Sequence, residues 1–449
     1  MTTVRFGPVG PLSGTLTPPP DKSISHRAAL LAAMADGASE ISRYLDSADT
    51  RSTLGAVEAL GAGVWAEPAG DGALTVRVEG IGLDGPGRAA PHDLAIDVGN
   101  AGTLLRLLPG WLAGQPAGSW ILDGDESIRR RPVDRVTAPL AQMGAHAAAR
   151  EDRLPPLEIT GAALRGIDYA LPVASAQVKS CVLFAGLMAE GETAVLEDMP
   201  TRDHTERMLG AAGVRVGAEG IGPGLAAGGA SGGRRIAVKR TERIAPCGFS
   251  IPGDFSSAAF FIVAALLVTG SRVRLEGVGI NPTRVGLLGI LNRMGSRIEV
   301  EEGPALGGEP RGTIDARHGP LRGTTVDAKE VPLAIDELPL VALAGAFAEG
   351  TIRITGAEDL RHKESDRIAT VVDAIRGMGG EADATDDGFR VQGTGGLRGG
   401  HVESHGDHRL AMLGAIGGLA SDEGVEVSGV EAAAVSYPGF EADLGSLAS

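Results

Sequence analysis

Residues 338–354 read LPLVALAGAFAEGTIRI, an apolar stretch that runs to Gly350 and then gives way to a short alternating segment. The apolar stretch predicts a helix, and the alternation of Thr351–Ile354 predicts a strand. This cassette of apolar helix, glycine and strand recurs six times, at intervals of roughly 80 residues. Its marker glycines are Gly37, Gly118, Gly191, Gly270, Gly350 and Gly424.

Each cassette continues with a second, amphipathic helix that closes on another glycine. These closing glycines are Gly61, Gly144, Gly213, Gly295, Gly379 and Gly445. Strand, helix, strand, helix and further strands in succession predict an α/β fold. The first helices, such as those covering 28–34 and 258–268, are apolar all round and are expected to be covered on most sides.

The length and charge of the chain limit its class. A chain of 449 residues predicts two domains, and the six cassettes divide three and three across the polar stretch 239–248. A net charge of −16 argues against binding to nucleic acid or to anionic membranes. No signal peptide and no apolar run of about 20 residues is visible, so we expect a cytoplasmic protein.

The residues with suggestive chemistry stand where the first helices begin, and a helix N-terminus attracts anions. The first helix opens with DKSISHR over 21–27, in which Asp21 or Ser23 can cap and Lys22 and Arg27 supply cations. Taken alone, the segment is equally typical of an ordinary capped surface helix. The second cassette opens with GNAGT over 99–103, where Gly102 allows backbone amides to approach a ligand.

Further polar groups follow in the next cassettes. Arg131 ends a run of three arginines that is either a solvated turn or an anion clamp, because a guanidinium pairs well with carboxylate or phosphate. Ser175 and Gln177 open the third cassette, which also contains Arg202 further along. The uncharged hydroxyl and amide donors of Ser175 and Gln177 suit phosphate or sugar-like hydroxyls.

The fifth cassette supplies acids as well as cations. Asp336 stands at the head of an apolar helix, where it is either a cap or a proton acceptor. Lys363 and Arg367 are four residues apart and are expected to share a helix face, with Glu364 pairing at the i, i+3 spacing. A structural ladder of ion pairs is the alternative interpretation.

The sixth cassette reads HVESHGDHR over 401–409. Strand alternation would align His401, Glu403 and His405, but this is not a zinc-binding spacing, so we expect no metal. His408 and Arg409 open the next helix and are better interpreted as a pair that binds an anion.

These openings together contain seven fixed cations, which predicts a substrate set with several phosphates or carboxylates. They are Lys22, Arg27, Arg131, Arg202, Lys363, Arg367 and Arg409. Neither a phosphate-binding GxxxxGK[ST] loop nor a GxGxxG segment after a strand is present, so no nucleotide cofactor is indicated.

The segments over 21–27, 100–103, 131–132, 363–367 and 407–409 resemble, in order, the signatures of the 5-enolpyruvylshikimate-3-phosphate synthase family. The segments over 175–177 and 201–204 resemble its bacterial class II members. The resemblance implies a two-domain inside-out α/β barrel, the enolpyruvyl transferase fold, in which each domain contains three βαβαββ repeats. It implies an N-terminal domain over 21–243 and a C-terminal domain formed by 1–20 plus 244–449, with the active site in the cleft.

The resemblance also implies the reaction: the enolpyruvyl group of phosphoenolpyruvate is transferred to the 5-hydroxyl of shikimate 3-phosphate, and phosphate is released. No cofactor or metal is implied, and a monomer is expected. The residues implied to hold shikimate 3-phosphate are Lys22, Ser23, Arg27, Ser175, Gln177, Arg202, Asp336 and Lys363. Those implied to surround phosphoenolpyruvate are Lys22, Gly102, Arg131, Gln177, Arg367, His408 and Arg409.

Three residues are candidates for catalysis by the same resemblance. Asp336 would accept the hydroxyl proton, while Glu364 and Lys22 would protonate the methylene carbon and stabilise the tetrahedral intermediate. Two departures from the family stand out: Ala176 replaces a frequent second serine, and Val435 stands where class I members place a lysine. Gly102 leaves room beside phosphoenolpyruvate, which implies inhibition by glyphosate.

Two other functions compete with this interpretation. The first is the sister enzyme that acts on UDP-N-acetylglucosamine, which usually carries a catalytic cysteine near the Arg131 region, where this chain has none. The second is a non-catalytic protein that binds phosphorylated metabolites. Keeping both Asp336 and Glu364 argues against the second, because binding anions alone would not favour two acids.

Overall fold

A computed structural model describes residues 2–70, 72–89, 93–221 and 233–448. It divides into two compact units. The N-terminal unit comprises Pro20–Ile251 and Leu306–Glu309, and the C-terminal unit comprises Met1–Pro19, Pro252–Ala305 and Pro310–Ser449.

The strands are short, as the repeat predicts. They are β1 (Thr3–Phe6), β2 (Ser13–Leu16), β3 (Asp36–Leu45), β4 (Gly63–Pro68), β5 (Ala73–Ile81), β6 (Leu94–Asp97), β7 (Ser119–Asp123), β8 (His146–Arg150), β9 (Leu154–Thr160), β10 (Asp168–Ala170), β11 (Glu192–Glu197), β12 (Val216–Ile221), β13 (Gly233–Lys239), β14 (Phe249–Ser250), β15 (Arg272–Gly279), β16 (Arg297–Glu302), β17 (Arg311–Arg317), β18 (Thr325–Val326), β19 (Thr351–Ile354), β20 (Glu381–Thr385), β21 (Gly388–Gln392), β22 (Gly400–Glu403) and β23 (Val425–Ser428).

The α-helices alternate with these strands. They are α1 (Lys22–Met34), α2 (Ala48–Ala59), α3 (Gly85–Ala89), α4 (Gly102–Ala113), α5 (Asp134–Gln142), α6 (Ala176–Gly186), α7 (His204–Ala211), α8 (Phe255–Leu267), α9 (Gly286–Arg293), α10 (Val331–Ala334), α11 (Leu338–Ala346), α12 (Arg367–Gly377), α13 (His408–Ala420) and α14 (Phe440–Leu447).

Five sheets share one strand order, in which the first two strands of a βαβαββ repeat are parallel and the last two lie antiparallel beside them. In β6-β7-β9-β8, β10-β11-β13-β12 and β18-β19-β21-β20 the repeat is continuous in the chain. The other two borrow their first strand: β14 pairs with β3, and β2 pairs with β15. The sixth sheet has the order β1-β23-β22 and completes a βαβ unit with the N-terminal strand.

The borrowed strands refine the expected domain limits. Residues 244–251, which the sequence assigned to the second domain, fold with the N-terminal unit because Phe249–Ser250 pair with Ile41–Ser42. Residues 306–309 also belong to that unit, although the chain on either side of them belongs to the C-terminal unit.

The first helix of each repeat lies in the core, and the sheets lie outside it. Every residue of α8 and of α11 is buried, whereas the edge strands β4 and β16 are largely exposed. In the C-terminal unit α8, α11 and α13 contact one another, and in the N-terminal unit α4 contacts both α1 and α6. Each unit therefore has its own apolar core around its first helices.

The backbone conformation explains why glycine recurs at the six marker positions. All six have φ between +78° and +118°, a region that side chains other than glycine rarely adopt. The closing glycines from Gly61 to Gly379 also have positive φ, but Gly445 lies inside α14. The second half of the sixth cassette therefore departs from the repeat. Among the helices in the described ranges, none is long and apolar enough to cross a membrane.

Candidate active site

The head of α1 places Lys22 beside a carboxylate. Asp21 caps the helix, since its side chain accepts a hydrogen bond from the amide of Ile24 at 2.9 Å. Lys22 Nζ lies 3.0 Å from Asp49 Oδ2 in the first turn of α2. Burial is the largest single effect and raises the pKa of Asp49, but the charge and the hydrogen bond of Lys22, together with other nearby cationic groups, leave that pKa below its usual value.

Arg27 is buried and joins three helices. Its Nε donates to Thr205 Oγ1 at 2.8 Å in α7, and its Nη2 donates to Ser180 Oγ at 3.1 Å in α6. Its Nη1 donates to the backbone carbonyl of Ser23 at 2.9 Å. Burial lowers the pKa of Arg27 to about 10, so the guanidinium keeps its charge at neutral pH.

Gly102 and Arg131 are in close contact. A Cβ atom added to Gly102 would lie 2.7 Å from Nη1 of Arg131, so glycine is needed to leave this guanidinium in place. Arg131 follows a 3-10 turn and donates through Nη2 to Asn100 Oδ1 at 3.0 Å. Arg129, from the same arginine run, instead pairs with Asp123 at the surface. Only one of these two arginines therefore joins the cluster.

The head of α6 is bonded to α4. Gln177 Nε2 donates to Thr103 Oγ1 at 3.1 Å, and its Oε1 accepts from Arg106 Nη1 at 3.2 Å. Ser175 caps α6, with its Oγ accepting from the amide of Val178 at 3.4 Å.

Arg202 lies in the segment between β11 and α7, and its charge acts on Arg27. The preceding Thr201 donates through Oγ1 to the buried Glu197 at 2.8 Å. All eight site residues predicted in the N-terminal unit thus lie at the heads of α1, α4 and α6 or in the segments before α5 and α7.

In the C-terminal unit, Asp336 lies in the break between α10 and α11 and faces three cations. Its Oδ1 lies 3.4 Å from Lys363 Nζ and 3.5 Å from Arg367 Nη1. Its Oδ2 lies 3.8 Å from Arg409 Nη2. The side chain of Asp336 is 13% exposed, so these charges are only partly screened by water.

Arg367 is buried among acids. Its Nε lies 2.8 Å from Asp407 Oδ2, and its Nη2 lies 2.6 Å from Glu364 Oε2. Burial alone would lower the pKa of Arg367, but Asp407, Glu364 and Asp336 raise it above its usual value. Burial likewise raises the pKa of Asp407, and Arg367 reverses that shift, so both groups stay charged.

The expected helix face for Lys363 and Arg367 is wrong. Helix α12 begins at Arg367, with Asp366 as its cap, and Lys363 is extended. Asp366 fixes the start of α12, because its side chain accepts hydrogen bonds from two amides of the first turn, and Lys363 therefore lies before the helix. The predicted ion pair between Glu364 and Arg367 is present nonetheless.

His408 and Arg409 open α13, as predicted, and both are buried. Asp407 caps this helix by accepting from the amide of Arg409 at 2.9 Å. Arg409 Nη1 donates to the backbone carbonyl of Asp336 at 3.0 Å, and its Nη2 donates to Ser256 Oγ at 3.0 Å. The six predicted residues of this unit therefore meet at the heads of α11, α12 and α13.

Two other histidines of the sixth cassette, His401 and His405, lie outside this group of six. His401 Nε2 is bonded to Ser428 Oγ at 3.0 Å, and His405 lies beyond β22 with φ of +53°. Within the described ranges, no group of three or more His, Cys, Asp or Glu side chains could hold a metal ion.

Sequence reasoning missed several partners of these cations. Asp49 stands in the first turn after the cap Ser47, a position that favours acids because of the helix dipole. Arg106 stands one helical turn after Gly102, a spacing that places both on one face. Asp407 precedes an apolar helix, which is the position of a cap. In each unit the predicted cations are therefore accompanied by acidic side chains.

The two clusters have the chemistry to bind anions and to move protons. Guanidinium and ammonium groups at helix heads attract phosphate and carboxylate. Carboxylates beside them can exchange protons with a bound ligand.

Comparison with known proteins gives consistent results. Residues 7–444 match the family model described as EPSP synthase (3-phosphoshikimate 1-carboxyvinyltransferase). The chain is 48% identical over 431 residues to 3-phosphoshikimate 1-carboxyvinyltransferase of Xanthomonas euvesicatoria pv. vesicatoria, covering 96% of this chain and 93% of the relative. It is 46% identical over 447 residues to a protein of the same name from Thermus thermophilus, covering 99% and 98%.

Solved structures agree with these matches. The EPSP synthase of Acinetobacter baumannii is 39% identical, covers 99% of this chain and 98% of its own, and superposes with a TM-score of 0.84. The enolpyruvyl transferase NikO of Streptomyces tendae is 18% identical, covers 99% and 96%, and has a TM-score of 0.74. At that identity NikO shows a shared fold alone.

Proposed function

Because this chain belongs to the EPSP synthase (3-phosphoshikimate 1-carboxyvinyltransferase) family, it is a transferase of that kind, and we propose how its residues share the work. It transfers the enolpyruvyl group of phosphoenolpyruvate to shikimate 3-phosphate, a step of the shikimate pathway of aromatic amino acid biosynthesis. Its fold is the two-domain α/β fold of the enolpyruvyl transferases, so the predicted fold class is confirmed. The names of the relatives support neither the UDP-N-acetylglucosamine enzyme nor a non-catalytic binding protein.

Shikimate 3-phosphate has a phosphate, a carboxylate and free hydroxyls, and the proposed ligands match these groups. Cations take the anionic groups, while hydroxyl and amide side chains take the rest. The proposed ligands are Lys22, Ser23, Arg27, Ser175, Gln177, Arg202, Asp336 and Lys363.

Phosphoenolpyruvate carries a phosphate and a carboxylate on a small carbon frame. Several guanidinium groups and a glycine that lets them approach closely suit such a ligand. The proposed residues are Lys22, Gly102, Arg131, Gln177, Arg367, His408 and Arg409. A cytoplasmic location and a monomeric state stay predictions.

The reaction requires one proton acceptor and one proton donor. Asp336 accepts the proton of the 5-hydroxyl as that oxygen attacks C2 of phosphoenolpyruvate. Glu364 or Lys22 delivers a proton to the methylene carbon, which gives a tetrahedral intermediate. Loss of a proton from the new methyl group and departure of phosphate then restore the double bond. Arg367 and Arg409 stabilise the negative charge on the substrate groups throughout.

One observation carries this assignment: the carboxylate of Asp336 lies within 4 Å of Lys363, Arg367 and Arg409. A carboxylate that only capped a helix would not require three cations around it. Their charges can hold an anionic substrate next to the acceptor, where its hydroxyl proton can be removed.

The arginine run offers a matched test of the proposed contacts. Arg131→Ala should raise KM for phosphoenolpyruvate about tenfold or more, because a charge-assisted hydrogen bond is lost. Arg129→Ala removes a similar side chain that pairs with Asp123 at the surface, and it should leave KM unchanged. Steady-state phosphate release with each substrate varied in turn measures both. Equal effects of the two variants would contradict the assignment of Arg131.

A further inference from the structure

A buried ion pair that the proposed mechanism does not use lies behind Asp336. Arg284, in the turn before α9, places its Nη1 3.1 Å from each carboxylate oxygen of Glu337. The two side chains are 5% and 0% exposed. Glu337 directly follows Asp336, so the pair anchors the chain next to the proposed proton acceptor.

Ser256 connects this pair to the site. Its hydroxyl donates to Glu337 Oε1 and accepts from Arg284 Nη2. The same oxygen accepts from Arg409 Nη2 at 3.0 Å. Ser256 is buried in the first turn of α8, which Asp254 caps by accepting from the amide of Ser256 at 2.6 Å. The hydroxyl is therefore held at a fixed place by its own helix.

Arg409 links Ser256 and Glu337 to the backbone of Asp336. Its Nη1 donates to the backbone carbonyl of Asp336 at 3.0 Å and lies 3.6 Å from Glu337 Oε1. Asp336 stands outside both α10 and α11, so regular helical bonds do not fix its position. Ser256 and Glu337 hold the guanidinium, and the guanidinium holds the backbone of Asp336.

Stability alone gives little reason to keep such a pair. Removing two charges from water costs about as much as their attraction returns, so a buried pair adds little net stability over apolar residues of the same size. Such a pair can instead fix one arrangement among several similar ones.

We propose that Arg284 and Glu337, acting through Ser256, are positioning residues that fix Arg409 and Asp336 for the reaction. The proposal rests on the roles given above to Asp336 and Arg409. It adds three residues for which neither the motifs nor the mechanism has a use.

The first turn of α8 provides a matched pair of variants. Ser256→Ala removes the shared hydroxyl, whereas Ser257→Ala removes the neighbouring hydroxyl, which is also buried. Ser256→Ala should raise KM for phosphoenolpyruvate and lower kcat/KM about tenfold, the factor that one hydrogen bond to a charged group contributes. Ser257→Ala should match the wild type. A purely structural role would lower the amount of active enzyme and leave KM unchanged.

A second variant keeps the test decisive if Ser256→Ala does not fold. Arg284→Met combined with Glu337→Met replaces both charges by apolar groups of similar length, so that neither member of the pair is left charged without the other. Asp254 loses its contact with Arg284, at 3.6 Å, but keeps the backbone amides that it caps in α8. This double variant should fold and should also show a raised KM for phosphoenolpyruvate.

Each remaining outcome decides the matter. Wild-type KM in Ser256→Ala or in the folded double variant would overturn the proposal, as would equal losses in Ser256→Ala and Ser257→Ala. Failure of both altered proteins to fold would show a structural role and would overturn it too. An inactive wild type would instead overturn the proposed function itself.

Discussion

Lys179 offers the sharpest prediction about stability. Its side chain is wholly buried in α6, with Nζ 3.1 Å from Glu197 Oε2 and 2.7 Å from Glu206 Oε1. Glu197 in turn accepts from the amide and the hydroxyl of Thr201, at 3.2 and 2.8 Å. The lysine therefore ties the helix headed by Ser175 to the segment that carries Arg202.

The size of the expected loss in unfolding free energy follows from the burial of this ion pair. Lys179→Met leaves two carboxylates without their cation, and breaking a buried pair in this way costs about 3–5 kcal/mol. Replacing Glu197 and Glu206 by Gln in the same protein removes the stranded charges and should recover most of that loss. Arg129→Met breaks an exposed pair whose arginine is 54% exposed, and it should cost at most about 1 kcal/mol.

Urea unfolding followed by tryptophan fluorescence measures this change in the relevant unit. The three tryptophans, Trp65, Trp111 and Trp120, all belong to the N-terminal unit, so the signal reports that unit alone. A loss for Lys179→Met no greater than that for Arg129→Met would refute the reasoning. So would a triple variant no more stable than Lys179→Met.

Four further outcomes are expected. Asp336→Asn and Glu364→Gln should each lower kcat about 100-fold or more and change KM less, because each loses a proton-transfer group; steady-state assays that found losses in KM alone would make them binding residues. Burial lowers the pKa of His26 from 6.5 to about 3, so the folded state resists protonation and stability present above pH 6.5 is lost as pH falls towards 3. The slope should be about 1.4 kcal/mol per pH unit, and His26→Asn should remove it in urea titrations at several pH values; an unchanged slope would show another cause. Gly102→Ala should displace Arg131 and raise KM for phosphoenolpyruvate in the same steady-state assay; an unchanged KM would show that the guanidinium adapts. Millimolar glyphosate should inhibit the wild-type enzyme in that assay, and uninhibited turnover would refute this expectation.

Much of the fold could be predicted because the repeat is local. Each marker glycine adopts a positive φ that few other residues allow, so it stands at the same place in every cassette. The prediction that Gly445 ends a helix was wrong, because the sequence alone does not distinguish a glycine inside a helix from one that ends it. The pairing of β14 with β3 was not predicted, since pairing between distant segments leaves no periodic signal. The assignment of residues 1–20, which contain β2, to the C-terminal domain came from the family resemblance and not from the repeat.

The residues of the candidate site could be selected from the sequence for the same reason, but their partners could not. Cations at helix heads precede apolar stretches and can be recognised one segment at a time. The acids that accompany them come from other segments: Glu337 meets Arg284 across 53 positions, and Lys22 meets Asp49 across 27. Their pairing depends on tertiary packing, which a single sequence does not reveal. The helix start at Arg367 was missed because a cap at Asp366 overrode the spacing of Lys363 and Arg367.

The release of phosphate by the purified protein tests the central claim most directly. With shikimate 3-phosphate and phosphoenolpyruvate together, the protein should release one phosphate for each acceptor consumed, and neither substrate alone should suffice. Release that occurred only with UDP-N-acetylglucosamine as acceptor, or no release with either acceptor, would contradict the account.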